Sequence, residues 1–270
     1  MSERLPGSRF YEATYRIRTG DVDQEMRVRL DTVARYLQDI ANDNLEATPF
    51  HDTDPFWIVR RTVIDVIEPI GWPGNVTLQR WCGGLSTRWT NMRVSIRADH
   101  ETNRFNPEPR PAGRIETEAF WILVNEKGMP TRLSDEGFDL LAEMTHEHRL
   151  KWKTMHPDPL PEAGELSDLA PEDREHILRS TDFDAFKHLN NAAYWAAVED
   201  ELQSHADLVA GPHRAVIEYL RPIVPGVRII LRRRREAHRL LIWMLIGDNE
   251  GGQQVAATVS ITDLRAAPTP

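Results

Sequence analysis

The chain has a single cysteine, Cys82, so no intrachain disulfide can form. That residue reads as a small buried hydrophobe rather than a reactive thiol. No run approaches the roughly 18 apolar residues of a membrane-spanning helix. Residues 1–7, Met-Ser-Glu-Arg-Leu-Pro-Gly, contain no apolar signal core. These absences predict a cytoplasmic protein without a membrane span. Positive charge is also short: 33 Lys and Arg face 42 Asp and Glu, a formal net charge of −9. That balance argues against nucleic acid as a partner. Zinc-finger spacing, a phosphate loop and a dinucleotide fingerprint are all missing. Ten histidines are scattered, and His146 and His148 have no cysteine near them, so they read as surface residues. No metal and no organic cofactor is implied.

What remains is an ordinary globular composition, 40% hydrophobic and 28% charged over 270 residues. That length fits one large or two ordinary domains. Residues 10–19 are β-prone. Leu30, Val33, Ala34, Leu37, Ile40 and Ala41 then recur at helical spacing and predict a helix over about 30–46. Strand patterns follow at 56–67, 76–82, 88–97 and 114–124. The Pro-rich stretch 101–112 reads as a long, exposed hairpin tip. Residues 144–172, with many prolines and charges, read as a linker. A second series then begins: an extended piece to Asp182, a helix over about 190–206, and strands at 213–221, 226–234, 239–247 and 253–262. The turn Asp248-Asn-Glu-Gly-Gly252 separates the last two.

The two series align at a constant offset of 161 (182 − 21). Arg18-Thr-Gly-Asp-Val-Asp23 falls on Arg179-Ser-Thr-Asp-Phe-Asp184, Leu37 on Val198 and Asp39 on Asp200. The expected architecture is therefore α+β and duplicated: residues 1–143, the linker 144–172, and residues 173–270. Strands around one central helix form a layered unit. Two copies suggest a pseudo-two-fold pairing like that of a homodimer, and a homodimer of the whole chain stays open.

The chemistry concentrates in Ser180-Thr-Asp-Phe-Asp-Ala-Phe-Lys-His-Leu-Asn-Asn-Ala-Ala-Tyr194. A carboxylate there, Asp184, precedes a helix start marked by Asn190 and Asn191, preferred capping residues. Free backbone N–H groups and the positive dipole end at such a start stabilise negative charge. A base beside an oxyanion-binding helix start suits acyl hydrolysis. On that reading Asp184 is base or nucleophile and His188 positions substrate or water. The amides near His188 and Leu189 receive the oxyanion, and Asn190 or Asn191 caps the helix. The competing reading is a turn and cap with no chemistry. The first copy lacks the His and paired Asn, reading Gln24-Glu-Met-Arg-Val-Arg-Leu30, so one site with a supporting half is expected. Asp21 and Asp23 then serve turn structure. Asp200 and Glu199 on the second helix, with Gln38 and Asp39 on the first, are secondary candidates against a reading as exposed helix charges. Trp57, Trp81, Trp89, Met92, Phe120 and Trp121 could line an acyl tunnel, or simply be core.

The pattern Asp182-x-Asp184-x-x-x-His188-x-Asn190-Asn191-x-x-Tyr194 resembles the motif of hotdog-fold thioesterases. The chain is most similar to the plant-type fatty acyl-ACP thioesterases. Trp57-Ile-Val-Arg-Arg-Thr-Val-Ile-Asp-Val, Thr77-Leu-Gln-Arg-Trp81-Cys82, Thr87-Arg88 and Phe120-Trp-Ile-Leu-Val-Asn125 match that family in order and spacing. The resemblance implies two tandem hotdog domains, each an antiparallel sheet wrapped around a long central helix. It also implies hydrolysis of fatty acyl thioesters carried by acyl carrier protein or coenzyme A. Of the family's polar network, the aspartate falls on Asp184 and the histidine on His188. The asparagine falls on Phe186, and the Glu-Cys pair falls near Pro222 and Ile223. These departures keep two alternatives open, a non-catalytic acyl-thioester binding protein and a hotdog 3-hydroxyacyl-thioester dehydratase. The basic run Arg232-Arg-Arg-Arg235 offers Arg232 and Arg234 as a landing patch for an acidic carrier, since alternate strand residues share a face.

Overall fold

The computed structural model describes residues 3–161, 173–247 and 252–265. The chain divides into two compact units, Met1–Lys153 and Thr154–Pro270. The first unit runs β1 (Tyr11–Arg16), α1 (Leu30–Glu46), α2 (Phe50–Thr53), β2 (Trp57–Glu68), β3 (Asn75–Leu85), β4 (Trp89–Ala98), β5 (Gly113–Leu123) and α3 (Asp135–Ala142). Its strands lie in the order β1-β3-β4-β5-β2, each antiparallel to its neighbour. The second unit runs β6 (Arg174–His176), α4 (Asn191–Leu202), α5 (Ala206–Val209), β7 (His213–Tyr219), β8 (Ile229–Glu236), β9 (Arg239–Gly247) and β10 (Gln253–Asp263). Its order, β6-β8-β9-β10-β7, repeats the first strand for strand. The 161-residue offset is thus a repeat of topology.

Helix α1 forms where the apolar spacing placed it, and it buries Leu30, Val33, Ala34, Tyr36 and Ile40. Each fully buried aliphatic side chain contributes about 1.5–3 kcal/mol. Alternation along the strands sends neighbours to opposite faces. One face of the first sheet carries Cys82, Met92 and Trp121, which pack with Leu133, Phe138 and Leu141 around α3. Helix α3 had no periodic signal long enough to be read. Its start is fixed by Ser134, whose Oγ accepts from Gly137 N–H at 2.9 Å. Buried Asp54 in turn accepts from the Ser134 N–H at 2.9 Å and from its hydroxyl at 2.5 Å.

The expected exposed tip and the described part of the expected linker are both pinned. Within 101–112, Asn106 is buried and donates its side-chain N–H to the Trp72 carbonyl at 2.6 Å. Arg110 donates to the Glu25 carbonyl at 3.1 Å. The hairpin therefore folds back over the first unit's own turn region. The expected linker is packed as well. In the first unit Trp152 lies against Trp89 and Phe120, with ring centroids 6.2 and 5.1 Å away, and Arg61 sits 5.1 Å from the Trp152 ring. In the second unit Glu218 accepts from the Thr154 hydroxyl at 2.5 Å and from Met155 N–H at 2.8 Å. Asp158 bridges Arg234 and Arg239, and Leu160 packs on Leu241, Trp243 and Leu245. Residues 162–172, and most of the turn expected at 248–252, lie outside the described residues.

His156 lies in that packed segment, buried and edge-on to Trp243 at 5.1 Å between centroids. No hydrogen bond from another residue reaches either ring nitrogen among the described residues. Burial lowers its pKa below the ordinary imidazole value, outweighing the nearby charges of Asp158 and Glu218. The unfolded chain takes up the proton near pH ~6.5, before the folded one does. Stability is therefore full above that pH and falls as pH drops through the window below it. His156→Phe should flatten this acid dependence of the urea midpoint between pH 7 and 5; a slope equal to the native protein's would refute it.

Candidate active site

The same turn is built twice. Short 3-10 segments, Thr19–Asp21 and Ser180–Asp182, begin each copy. The Arg18 and Arg179 amides donate to Asp21 and Asp182 side chains, both at 2.7 Å. The chain then loops back through single bridges, Val22 to Val28 and Phe183 to Leu189. Met26 and Lys187, at equivalent positions, both take φ of 61°, a left-handed conformation unusual for residues other than glycine. The Arg29 N–H donates to the Asp21 carbonyl at 3.1 Å, and the Asn190 N–H to the Asp182 carbonyl at 2.8 Å.

The carboxylate chemistry differs. In the first unit Asp23 is consumed by one partner: Arg27 donates its N–H to Oδ1 at 2.8 Å and its Nε–H to Oδ2 at 2.9 Å. The offset puts His188 where Arg27 stands. In the second unit Asp184 Oδ1 accepts from the Phe186 N–H at 2.9 Å and from the His188 N–H at 3.3 Å. Its Oδ2 has no hydrogen-bond or ion-pair partner among the described residues. Half-buried Asp184 thus holds its turn with one oxygen and presents the other. His188 is exposed, and its imidazole makes no hydrogen bond, ion pair or ring contact with another residue among those described.

The helix-start amides differ from expectation. Leu189 N–H donates to the Ile223 carbonyl at 2.8 Å, Asn190 N–H is taken by Asp182, and His188 N–H by Asp184. Neither Leu189 nor Asn190 can receive an oxyanion through its amide. The Asn191 N–H has no acceptor among the described residues. Asn190 is the cap: its Oδ1 accepts from the Ala192 N–H at 2.9 Å. Asn190→Ala should cost about 1 kcal/mol of stability, read as a lowered denaturant midpoint; an unchanged midpoint would contradict the cap.

Ile223 and Tyr194 close the back of this turn. Tyr194 is buried and packs edge-on to Tyr219 at 5.1 Å. Burial pushes its phenol up to about 12; a backbone hydrogen bond from Ile223 opposes the rise, and the charge of Asp184 adds to it. Tyr194 is therefore a neutral wall beside Asp184. Two family models match the chain: the acyl-ACP thioesterase N-terminal domain over residues 8–141 and its C-terminal domain over residues 167–261. The chain belongs to the acyl-ACP thioesterase family. An uncharacterized protein of Mycobacterium tuberculosis strain H37Rv is 37% identical over 250 residues, 92% of each chain. The fold is shared with an acyl-ACP thioesterase from Bacteroides thetaiotaomicron, TM-score 0.64 at 13% identity, covering 94% of this chain and 97% of that one. It is shared also with the 12:0-ACP thioesterase from Umbellularia californica, TM-score 0.63 at 16% identity, covering 94% and 96%.

The departures from the acyl-ACP thioesterase pattern have definite places. Phe186, where the resemblance implied an asparagine, is 80% exposed and points away from the protein interior. Near where the resemblance implied a Glu-Cys pair, Ile223 is buried and accepts from the Leu189 N–H, while Pro222 is exposed. Phe186 lies in the motif turn and Ile223 is bonded to it, and neither they nor Pro222 carry a polar side chain. Cys82 is buried in the first unit, its thiol pushed up to about 12 by burial, which suits packing and not nucleophilic attack.

The remaining candidates scatter. Asp200 is exposed and 3.8 Å from His176; Glu199 is half-buried. Gln38 is half-buried, and burial together with Asp43 raises the Asp39 carboxyl. The acidic residue of α4 that spacing did not single out is Glu201, fully buried between Arg174 and Arg233. Its signal was the arginine run itself, which needed a buried acid. Arg232 and Arg234 do not form a free landing patch. Arg232 is buried in a two-pronged pair with Asp173, at 2.8 and 2.7 Å, and Arg234 is held by Asp158 and Glu236. Nor do the six tunnel candidates share a cavity: Trp57, Met92 and Trp121 pack in the α3 cluster, Trp89 and Phe120 meet Trp152 on the other face, and Trp81 lines an open groove with Arg93 and Arg97. Beside the motif turn, an open groove of about 520 Å³ is lined by Ile177, Arg179, Phe183, Pro225, Val227 and Arg228 among others. Asp184 is not in its wall.

Proposed function

We propose that the chain is built of two tandem hotdog domains and hydrolyses fatty acyl thioesters, with acyl carrier protein as the preferred carrier and coenzyme A as the alternative. The observation that carries the site is the unpaired Oδ2 of Asp184, set against the Arg27-neutralised Asp23 of the other copy. That oxygen takes a proton from water as it adds to the thioester carbonyl carbon. The negative oxygen of the tetrahedral intermediate meets the open Asn191 amide. Collapse breaks the C–S bond, and the proton passes from Asp184 to the departing sulfur. The products are a free fatty acid and the carrier thiol. His188 positions the water or the thioester from the rim of the same turn.

A second reading, acyl-thioester binding without hydrolysis, is favoured by one observation: Phe186, Pro222 and Ile223 supply no amide, carboxylate or thiol side chain at the network positions. Thiol release from a panel of acyl-carrier and acyl-coenzyme A thioesters separates the two. Hydrolysis predicts release that falls sharply in Asp184→Ala and His188→Ala. Bound but intact thioester, indifferent to Asp184→Ala, would establish the second reading.

A further inference from the structure

Two loops flank the start of α4, and each presents an apolar residue followed by a cation. The motif turn carries Phe186-Lys187; the loop after β7 carries Leu220-Arg221. All four are exposed, Phe186 by 80% and Leu220 by 39%. The loops are tied side by side by the bond from Leu189 N–H to the Ile223 carbonyl, 2.8 Å. Lys187 and Arg221 each lie two residues from that bond. Their backbones are held. The Lys187 N–H donates to the Asp184 carbonyl at 3.0 Å, and the Leu220 and Arg221 N–H groups both donate to the Ala256 carbonyl, at 2.8 and 3.0 Å. Neither cationic side chain has an ion-pair partner among the described residues. This sets them apart from Arg232 and Arg234, and from Arg228, which pairs with Glu175 at 2.7 Å.

The other copy supplies an internal control. Val28 N–H donates to the Ile70 carbonyl at 2.8 Å, as Leu189 does to Ile223. Counting back from the two isoleucines, Glu68 stands where Arg221 stands. On the motif turn Glu25 and Met26 stand where Phe186 and Lys187 stand. Glu68 against Arg221 reverses the charge, Met26 against Lys187 adds a cation and Glu25 against Phe186 replaces an acid by an apolar ring, while Ile67 is apolar like Leu220, in a chain whose net charge is −9. The local turn geometry requires neither sign, because both copies fold alike. Exposed apolar side chains beside unpaired cations mark a recognition surface for a partner of opposite charge.

We propose that Phe186, Lys187, Leu220 and Arg221 form the docking rim for an acidic carrier protein that delivers the acyl thioester to Asp184. This rests on the hydrolase reading and moves the docking surface from β8 to the rim of the site. Two cations and two apolar contacts spread over separate loops fit a protein face. Coenzyme A is the competing source of negative charge.

The test uses the full chain and the double variant Lys187→Glu/Arg221→Glu, with Phe186→Ser as an independent second variant. Titration with unacylated holo-acyl carrier protein at low salt reads docking without any turnover. The expected result is at least tenfold weaker binding for the double variant. Native binding should also fall with added salt, and Phe186→Ser should weaken binding without changing that salt dependence. Hydrolysis of an acyl-N-acetylcysteamine thioester, which has no carrier, should be unchanged in the double variant. Unaltered carrier affinity would overturn the proposal, as would an equal loss toward acyl-coenzyme A. If the native protein releases thiol from no thioester yet binds carrier through Lys187 and Arg221, the hydrolase reading fails and the docking rim stands.

Discussion

Asp184→Asn should reduce thiol release about 10²–10⁴-fold, the usual scale for loss of a general base. The choice of asparagine matters. Asp184 Oδ1 accepts the Phe186 and His188 N–H groups, and an amide oxygen can do the same. The substitution therefore spares the turn and removes only the proton-accepting charge at Oδ2. Thermal midpoint should stay close to the native value while the rate collapses, with little change in KM. Asp184→Ala removes both functions and should lower the midpoint as well. The matching change in the other copy, Asp23→Asn, weakens the partly exposed contact with Arg27, worth at most about 1 kcal/mol, and leaves turnover intact. Thiol release by Asp184→Asn within threefold of native would remove Asp184 from the chemistry. Equal losses from Asp23→Asn and Asp184→Asn would remove the asymmetry between the copies.

Much of the fold was legible because it is periodic. The α1 stripe from Leu30 to Ile40 and the alternating strands gave elements whose ends moved by only a few residues. The repeat was visible because the turn residues themselves recur: Arg18 and Arg179, Asp21 and Asp182, Asp23 and Asp184 do the same backbone work. What stayed hidden was held by isolated contacts with no period. The 154–161 segment is fastened by Glu218, Asp158 and Leu160, three residues that look like ordinary loop or strand positions alone. The hairpin 101–112 read as an exposed tip because its anchors, Asn106 and Arg110, bind carbonyls, which any sequence supplies. The site was half legible. Motif spacing found Asp184 and the Asn190 cap, but spacing cannot say which amides are already bonded, so Leu189 read as a donor when it was committed to Ile223.

The acids of α4 divide by burial, and the largest stability effect should fall on Glu201. It is fully buried; one oxygen pairs with Arg233, and the other meets Arg174 at 3.2 Å. Removing one partner of a buried pair leaves the other charge less well compensated in a poorly solvating place, at a cost of about 3–5 kcal/mol. Glu201→Ala should therefore lower unfolding free energy by that amount in urea titration, and lose activity only as far as folded protein is lost. Arg174 is half-exposed and can turn to water, whereas Arg233 is mostly buried and loses its Glu201 contact there. It follows that Glu201→Met combined with Arg233→Met should recover most of the loss, because an apolar pair of similar volume needs no counter-ion. Asp200, one residue earlier, faces solvent and lies 3.8 Å from His176. Asp200→Ala should shift stability by no more than about 0.5 kcal/mol and leave turnover unchanged. A Glu201→Ala protein that folds as firmly as the native chain but hydrolyses nothing would reverse the assignment. It would place the working acid on the central helix and leave Asp184 as a turn residue alone.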